Sequence, residues 1–178
     1  MNPLEDLLEK IESHGLWEKQ LTLSRNEYLK VKGSVETRLY LIASGSLRVF
    51  VTDEKEEHTI RFGYQGDILT ALDSYITGQP SDLYIQALKK TVVKVISKRV
   101  FEEFIDSSET NLRLWQKVLM ALIYQQMERE QDILISSPVE RYQRVHQRSP
   151  RLFQEIPHKY IASYLRMTPE TLSRIKKD

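Results

Sequence analysis

The sequence predicts an α+β fold in three parts: an N-terminal roll of short antiparallel strands, one long central helix, and a small helical domain at the C-terminus. Three observations carry this. Between about Leu21 and Ser97, short β-type runs alternate with turn signals at close spacing. A helical pattern then runs from Asp106 to about Ile135. Finally, residues 158–177 read as two short helices about a tight turn.

Taken in order, Leu4, Leu7, Leu8 and Ile11 share one face of a short amphipathic helix over about residues 4–14. The clearest strands are Leu39–Ile42, Leu47–Val51, Thr59–Phe62 and Val92–Ile96. Lys32-Gly33-Ser34, Ala43–Ser46, Asp53–Glu57, Tyr64–Asp67 and Thr77–Pro80 supply the turns between them. Asp106 can cap the long helix, with Glu109 three residues on. Leu112, Trp115, Leu119, Leu122, Gln126, Arg129 and Ile133 follow alternating three- and four-residue steps, as a coiled-coil seam does. Leu114, Val118, Ile123 and Met127 add apolar surface on other faces, more than one roll can cover. A second subunit is therefore expected along this helix; the alternative is lengthwise packing on its own roll. At Ser136–Glu140 the pattern breaks and restarts, with Ser137 as cap, Pro138 in the first helical position and Glu140 completing a capping box. These boundaries give domains of 1–105, 106–136 and 137–178.

In the last segment Ile161 and Leu165 share one helical face, and Leu172 and Ile175 share another. Ala162 stands where two backbones approach, and Met167 is an apolar residue inside the turn. Thr168 can cap the second helix, Pro169 suits its first position, and Glu170 favours its positive end. This is a helix-turn-helix pattern, although any two amphipathic helices in a small domain can share such spacing. The polar face of the second helix separates the readings. Glu170 can accept from a cytosine amino group, Arg174 can grip a guanine through two hydrogen bonds, Ser173 lies between them, and Lys176 and Lys177 suit phosphates.

The net charge of +1 conceals a division. Residues 138–178 hold nine Lys/Arg against four Asp/Glu, whereas residues 1–137 hold 17 against 21. A basic terminal piece on an acidic body fits a nucleic-acid reader carried by something that is not one. With no cysteine in the chain, disulfides, thiolate clusters and thiol redox sensing are excluded. No apolar run reaches the length of a membrane span, and no charged-then-apolar leader opens the chain, so a cytoplasmic protein is expected. A Gly-rich phosphate loop, a nucleophile elbow and a His/carboxylate cluster at metal spacing are all lacking, which argues against an enzyme.

Two motifs together resemble the cyclic-AMP receptor/fumarate-nitrate-reduction regulator family of bacterial transcription factors. One is Leu39–Val49 followed by Gln65-Gly66-Asp67-Ile68; the other is Ile161–Leu165 followed by Thr168–Arg174. The resemblance covers nearly the whole chain. It implies a cyclic-nucleotide-binding-like roll, a homodimer joined along the long helix, and a roughly two-fold symmetric operator in double-stranded DNA, with RNA polymerase a candidate partner. Carried over, Glu170, Ser173 and Arg174 become base-reading positions, and Thr168, Lys176, Lys177, Arg166 and His158 phosphate contacts. Arg166 occupies a turn position where the family usually has Gly, so a left-handed conformation is expected there. The wing hairpin usual in the family is not expected after Lys177, and DNA contacts are then expected to fall almost wholly on the helix.

The family's nucleotide pocket needs a Glu for the ribose hydroxyl and an Arg for the cyclic phosphate. An uninterrupted match from Gln65 to Ala87 places Ala71 and Ser81 at those positions, with the anion Asp82 next to the second. A charged hydrogen bond is worth roughly 1.5–3 kcal/mol, so binding of cyclic AMP in the family manner is not expected. The space is then either filled by side chains such as Leu72 and Tyr75, or lined for a different effector, with Tyr84 and Gln126 as candidate linings. The four histidines, His14, His58, His146 and His158, fall at no metal-ligand spacing, and no metal or cofactor is expected. A dimeric transcriptional regulator is the leading expectation. Its competitor is a ligand-sensing or protein-interaction module whose helix-turn-helix does not bind DNA.

Overall fold

The strand-rich half of the chain folds as two four-stranded sheets, and the rest as helices. The computed structural model describes residues 2–54 and 56–177. A first helix, α1 (Pro3–Ser13), starts at Asn2, whose side chain accepts the Leu4 N–H at 3.1 Å. Strands β1 (Lys19–Leu23), β2 (Tyr28–Lys30), β3 (Arg38–Ser44), β4 (Ser46–Thr52), β5 (Glu57–Tyr64) and β6 (Ile68–Leu69) follow. A short helix α2 (Leu72–Thr77) precedes β7 (Tyr84–Ala87) and β8 (Thr91–Ser97). The helices α3 (Lys98–Asp106), α4 (Glu109–Leu134), α5 (Pro138–Arg148), α6 (Pro150–Glu155), α7 (His158–Tyr164) and α8 (Pro169–Ile175) complete the chain. Among the described residues no helix is long and apolar enough to cross a membrane.

The strand order is β1-β8-β3-β6 in one sheet and β2-β7-β4-β5 in the other. Antiparallel register sets Tyr40 against Val95, Ile42 against Val93 and Leu21 against Val93. Alternation along β8 turns Val93 and Val95 inward, where they meet Leu23, Tyr40, Ile42, Leu47, Val49, Leu69, Ile85 and Ala87. Burying each such aliphatic side chain is worth about 1.5–3 kcal/mol, and this cluster holds the roll together. A second apolar cluster gathers Leu7, Ile11, Leu39, Tyr75, Ile96, Phe101, Phe104 and Ile105, with Trp115 packed edge-on to Phe101 at 5.0 Å. Two compact units result: Met1–Val49 with Phe62–Ala121, and Phe50–Arg61 with Leu122–Asp178.

The long helix differs from expectation in two details. Asp106 does not cap it; it is the last residue of α3. The cap is Ser108, whose hydroxyl accepts the Asn111 N–H at 3.2 Å, while Ser107 and Asn111 both donate to the Phe104 carbonyl at the end of α3. Those hydroxyls satisfy both helix ends within three residues, which Asp106 cannot do from inside α3. The expected seam is also turned. Of the seven seam residues, Leu112 and Gln126 are exposed and Trp115, Leu119, Leu122, Arg129 and Ile133 are half-buried against the chain itself, whereas Met120, Ile123, Tyr124, Met127 and Leu134 are more than half exposed. At 3.6 residues per turn, the exposed stripe lies about a quarter-turn from the predicted one. A three-four repeat fits either face, and Trp115, with Leu114 and Val118 beside it, packs on the apolar cluster of Phe101 and Ile105.

Gly45, between β3 and β4, has φ of 95°, and a Cβ there would lie 2.4 Å from Thr91 Oγ1, 2.6 Å from Thr91 Cα and 2.7 Å from the Lys90 carbonyl. Two of those three atoms are backbone and cannot swing aside. Gly45→Ala is expected to cost more than about 2 kcal/mol, read as a lowered denaturant midpoint with unchanged slope.

Candidate nucleic-acid interface

Local sequence fixes the two terminal helices before any packing is considered. Pro157 precedes α7, and the Thr168 hydroxyl accepts the Thr171 N–H at 3.2 Å at the start of α8. Pro169 then takes the first helical position, where its missing N–H costs nothing, and Glu170 lies in the positively polarised first turn. Ile161, Ala162, Leu165 and Leu172 are fully buried and join the inner faces. Between the helices, Arg166 adopts φ of 55°, the left-handed conformation the sequence suggested. The turn is closed by the Arg166 N–H on the Ser163 carbonyl at 3.1 Å and the Met167 N–H on the Ala162 carbonyl at 3.0 Å.

A residue that sequence reasoning missed holds this turn in place. Arg141 of α5 is buried, and its guanidinium donates to the carbonyls of Leu165 at 2.9 Å, Arg166 at 3.1 Å, Ser136 at 3.2 Å and Ile135. These carbonyls lie just past the C-terminal ends of α7 and α4, where unpaired C=O groups carry partial negative charge. A planar fork of five donors suits such a cluster, and lysine could not span it. The available signal was the four-residue step from Arg141 to buried Val145, which puts a cation on the inward face of α5.

Further polar contacts brace the same unit. Asp132, itself buried on α4, accepts from Arg144 Nε at 3.1 Å and from Arg148. The Arg129 guanidinium lies 4.0 Å from the centre of the Tyr164 ring. Burial raises the Tyr164 pKa above its ordinary value despite the nearby Arg129 and Arg148 charges, and burial lowers that of Arg129. Ser163 bonds twice to β5, donating to the Glu57 carbonyl and accepting the Thr59 N–H, each at 3.0 Å. β5 is an edge strand, so one hydroxyl occupies an otherwise open pairing position.

The outward side of α8 is left to solvent. Glu170, Ser173, Arg174 and Lys177 are exposed and, with Pro169, line one shallow concavity. Their spacing of three, four and seven residues makes them a single helical row. The structure thus brings the three suggested base-reading residues together and sets Lys177 beside them. Lys176 lies off that row, its ammonium 2.6 Å from His158 Nε2 at the start of α7. The Thr168 and Thr171 hydroxyls are 3.1 Å apart, and Arg166 is exposed. Chemically, the row offers one carboxylate acceptor, one hydroxyl and one guanidinium, with cations at its end and at the His158–Lys176 pair.

Ala71 is fully buried within the roll's apolar cluster. The Ser81 hydroxyl is buried and donates to the Asp73 carboxylate, at 2.8 and 3.0 Å to its two oxygens. Asp82 is exposed and pairs with Lys32 at 3.1 Å. Tyr84 is half-buried with its ring 6.0 Å from that of Tyr28, and Gln126 is exposed on α4. Asp73, which links Ser81 and Asp82, carries no signal in its sequence neighbourhood that would single it out.

Residues 20–108, half of the chain, match the family model described as cyclic nucleotide-binding domain. No curated protein sequence matches the chain. Among solved structures, a CooA mutant from Carboxydothermus hydrogenoformans is similar with a TM-score of 0.76 and 21% identity, over 97% of this chain and 83% of that one. FixK2 from Bradyrhizobium japonicum gives 0.72 at 16% identity, over 89% and 82%. A transcriptional regulator of the crp/fnr family from Eubacterium rectale gives 0.69 at 19% identity, over 98% and 85%. At such identities the likeness establishes a shared fold.

Replacing Arg141 by Lys leaves at least two of its carbonyls without a donor. The expected loss is about 2–4 kcal/mol, confined to the second unit, and hydrogen exchange should accelerate at Leu165–Thr171 while β3 and β8 stay protected.

Proposed function

The chain belongs to the cyclic nucleotide-binding domain family, and on that footing we propose that it is a cytoplasmic, sequence-specific DNA-binding transcriptional regulator acting as a homodimer. The observation that carries this reading is the exposed row of Glu170, Ser173 and Arg174 on a capped helix whose inner face is buried, with Lys177 just past its end. An acceptor and a bidentate donor on adjacent turns match the edges of a cytosine and a guanine in the major groove. Lys176, Lys177, His158, Arg166 and the Thr168 hydroxyl are the phosphate contacts in this reading, fixing register without reading sequence. The fold shared with solved regulators supports the assignment without reaching the partner or the operator.

Ile123, Tyr124, Met127 and Leu134, exposed along one side of α4, form the dimer face of this proposal. Large apolar side chains at such exposure favour a partner, and a second copy presents the same stripe by two-fold symmetry. Two recognition helices then meet two half-sites about one helical turn apart, roughly 34 Å, on a near-palindromic operator. The roll does not answer to cyclic AMP in this reading. Ala71 provides no carboxylate for a ribose, and the Ser81 hydroxyl is engaged by Asp73.

Selection of bound fragments from random DNA tests the whole reading: a palindrome with one-turn spacing is expected. Binding that ignores added salt would mean that no phosphates are contacted and would end it. Arg174→Ala should erase discrimination at one base pair, worth about 1–3 kcal/mol, without weakening all operator variants alike. The double change Ile123→Glu with Met127→Glu should halve the mass seen by light scattering, with the helical circular dichroism signal retained. Charges at Leu119 or Leu122 should instead destabilise the fold, because those side chains are half-buried within the chain.

A further inference from the structure

Three donors converge on one carboxylate in the roll unit. Asp73 accepts the Ser74 N–H at 2.8 Å, the Ser81 hydroxyl at 2.8 and 3.0 Å, and the Asp82 N–H at 2.9 Å. The Ser81 hydroxyl also accepts the Leu83 N–H at 2.9 Å. The backbone of Ser81 is tied down as well, its N–H on the Ser34 carbonyl at 3.0 Å and its carbonyl under the Gly33 N–H at 2.7 Å. Only 2% of Ser81 is exposed. Two backbone N–H groups and a hydroxyl aimed at one point are the means by which proteins hold an anion. In this roll the anion is part of the chain.

We propose that Asp73 is a resident anion: its carboxylate takes the place of a ligand phosphate in the roll, ordering residues 81–83 in the absence of any ligand. The inference rests on reading the roll as a nucleotide-binding scaffold that no longer binds its nucleotide, and it extends from cyclic AMP to phosphate-bearing ligands as a class. Ser81 stands where such a ligand would meet its cation, and it is committed to Asp73 instead. A tethered carboxylate acts at an effective concentration that a dilute ligand cannot match. An incoming phosphate would also face the charge of Asp73 directly and that of Asp82 beside it. Nothing then remains for a phosphate to organise, and the roll is fixed in one ligand-independent state.

The test is chemical rescue in the full chain, read by hydrogen exchange at residues 81–83. Asp73→Gly should accelerate exchange there by about ten- to a hundredfold, the loss expected for charged hydrogen bonds. Formate should restore protection in the variant, whereas chloride at matched ionic strength should not. Inorganic phosphate and cyclic AMP should leave the wild-type chain unchanged. Protection of wild type by either ligand would overturn the proposal, as would a variant that formate does not rescue. Should Asp73→Gly fail to fold, Asp73→Asn keeps the shape and removes the charge, and exchange at the wild-type rate in that variant would equally refute it. The measurement contains no DNA, so failure of wild type to bind any DNA would sink the regulator reading while leaving this result intact.

Discussion

A single buried guanidinium, that of Arg141, sets the geometry on which the C-terminal unit depends. Its donors reach the carbonyls that end α4 and the carbonyls that end α7, so one side chain fixes the direction in which two helices stop. Among the described residues no carboxylate pairs with it, and its charge is balanced by the negative ends of helix dipoles and by backbone C=O groups that would otherwise be unpaired. The reciprocal dependence matters. Arg141 could not be buried at that depth without the carbonyls, and the carbonyls could not be buried there without Arg141. The strained Arg166 fits the same account, since its left-handed backbone aims its carbonyl at the guanidinium at a local cost of about 1 kcal/mol.

The roll solves its polar problems the same way, with partners drawn from its own chain. Arg48 and Gln86 are both buried and joined by two hydrogen bonds, at 2.7 and 3.0 Å, and Gln86 passes its amide on to the Asn26 carbonyl at 2.9 Å. Glu36, buried as well, accepts the N–H groups of Thr37 and Arg38 at 2.9 and 3.0 Å and the Tyr40 hydroxyl at 3.3 Å. Burial together with the Glu36 charge raises the Tyr40 pKa, so that the hydroxyl stays protonated and keeps donating. Asp73 with Ser81 belongs to this set. Arg48, Glu36 and Asp73 thus each find hydrogen-bond partners within the roll, which holds their side chains in one arrangement.

How much of this was legible in the sequence follows from the range of each interaction. The four clearest strands, the break at Ser136, the Thr168 cap and the outward row on α8 all depend on neighbours within a few residues, and period or turn chemistry exposes them. Strands β1, β2, β6 and β7 are shorter or less apolar, and pairing across the sheet stabilises them more than local preference does. Arg141 reaches a carbonyl 24 residues away and Asp73 a hydroxyl eight residues away; the step to Val145 turns Arg141 inward but does not record its partners, and Asp73 has no local signal at all. The turn of the α4 seam has a different origin. A helix apolar on several sides leaves its choice of inward face to whatever packs against it, and period alone cannot decide that.

The same asymmetry between inner and outer residues bears on why α8 carries the chemistry it does. A helix of seven residues has little stability of its own, so its place rests on Leu172, the Thr168 cap and the Arg141 turn. Glu170, Ser173 and Arg174 contribute almost nothing to that anchoring, because they point away from every buried contact. Folding therefore leaves these positions open to nearly any polar residue, and under the proposed function their identities answer to the base edges the helix meets. The charge division points the same way: the excess of Lys and Arg over residues 138–178 exceeds what the internal pairs with Asp132 and Glu128 require. Cations surplus to the fold, gathered about an exposed acceptor–donor row, are what a polyanion with readable edges would select.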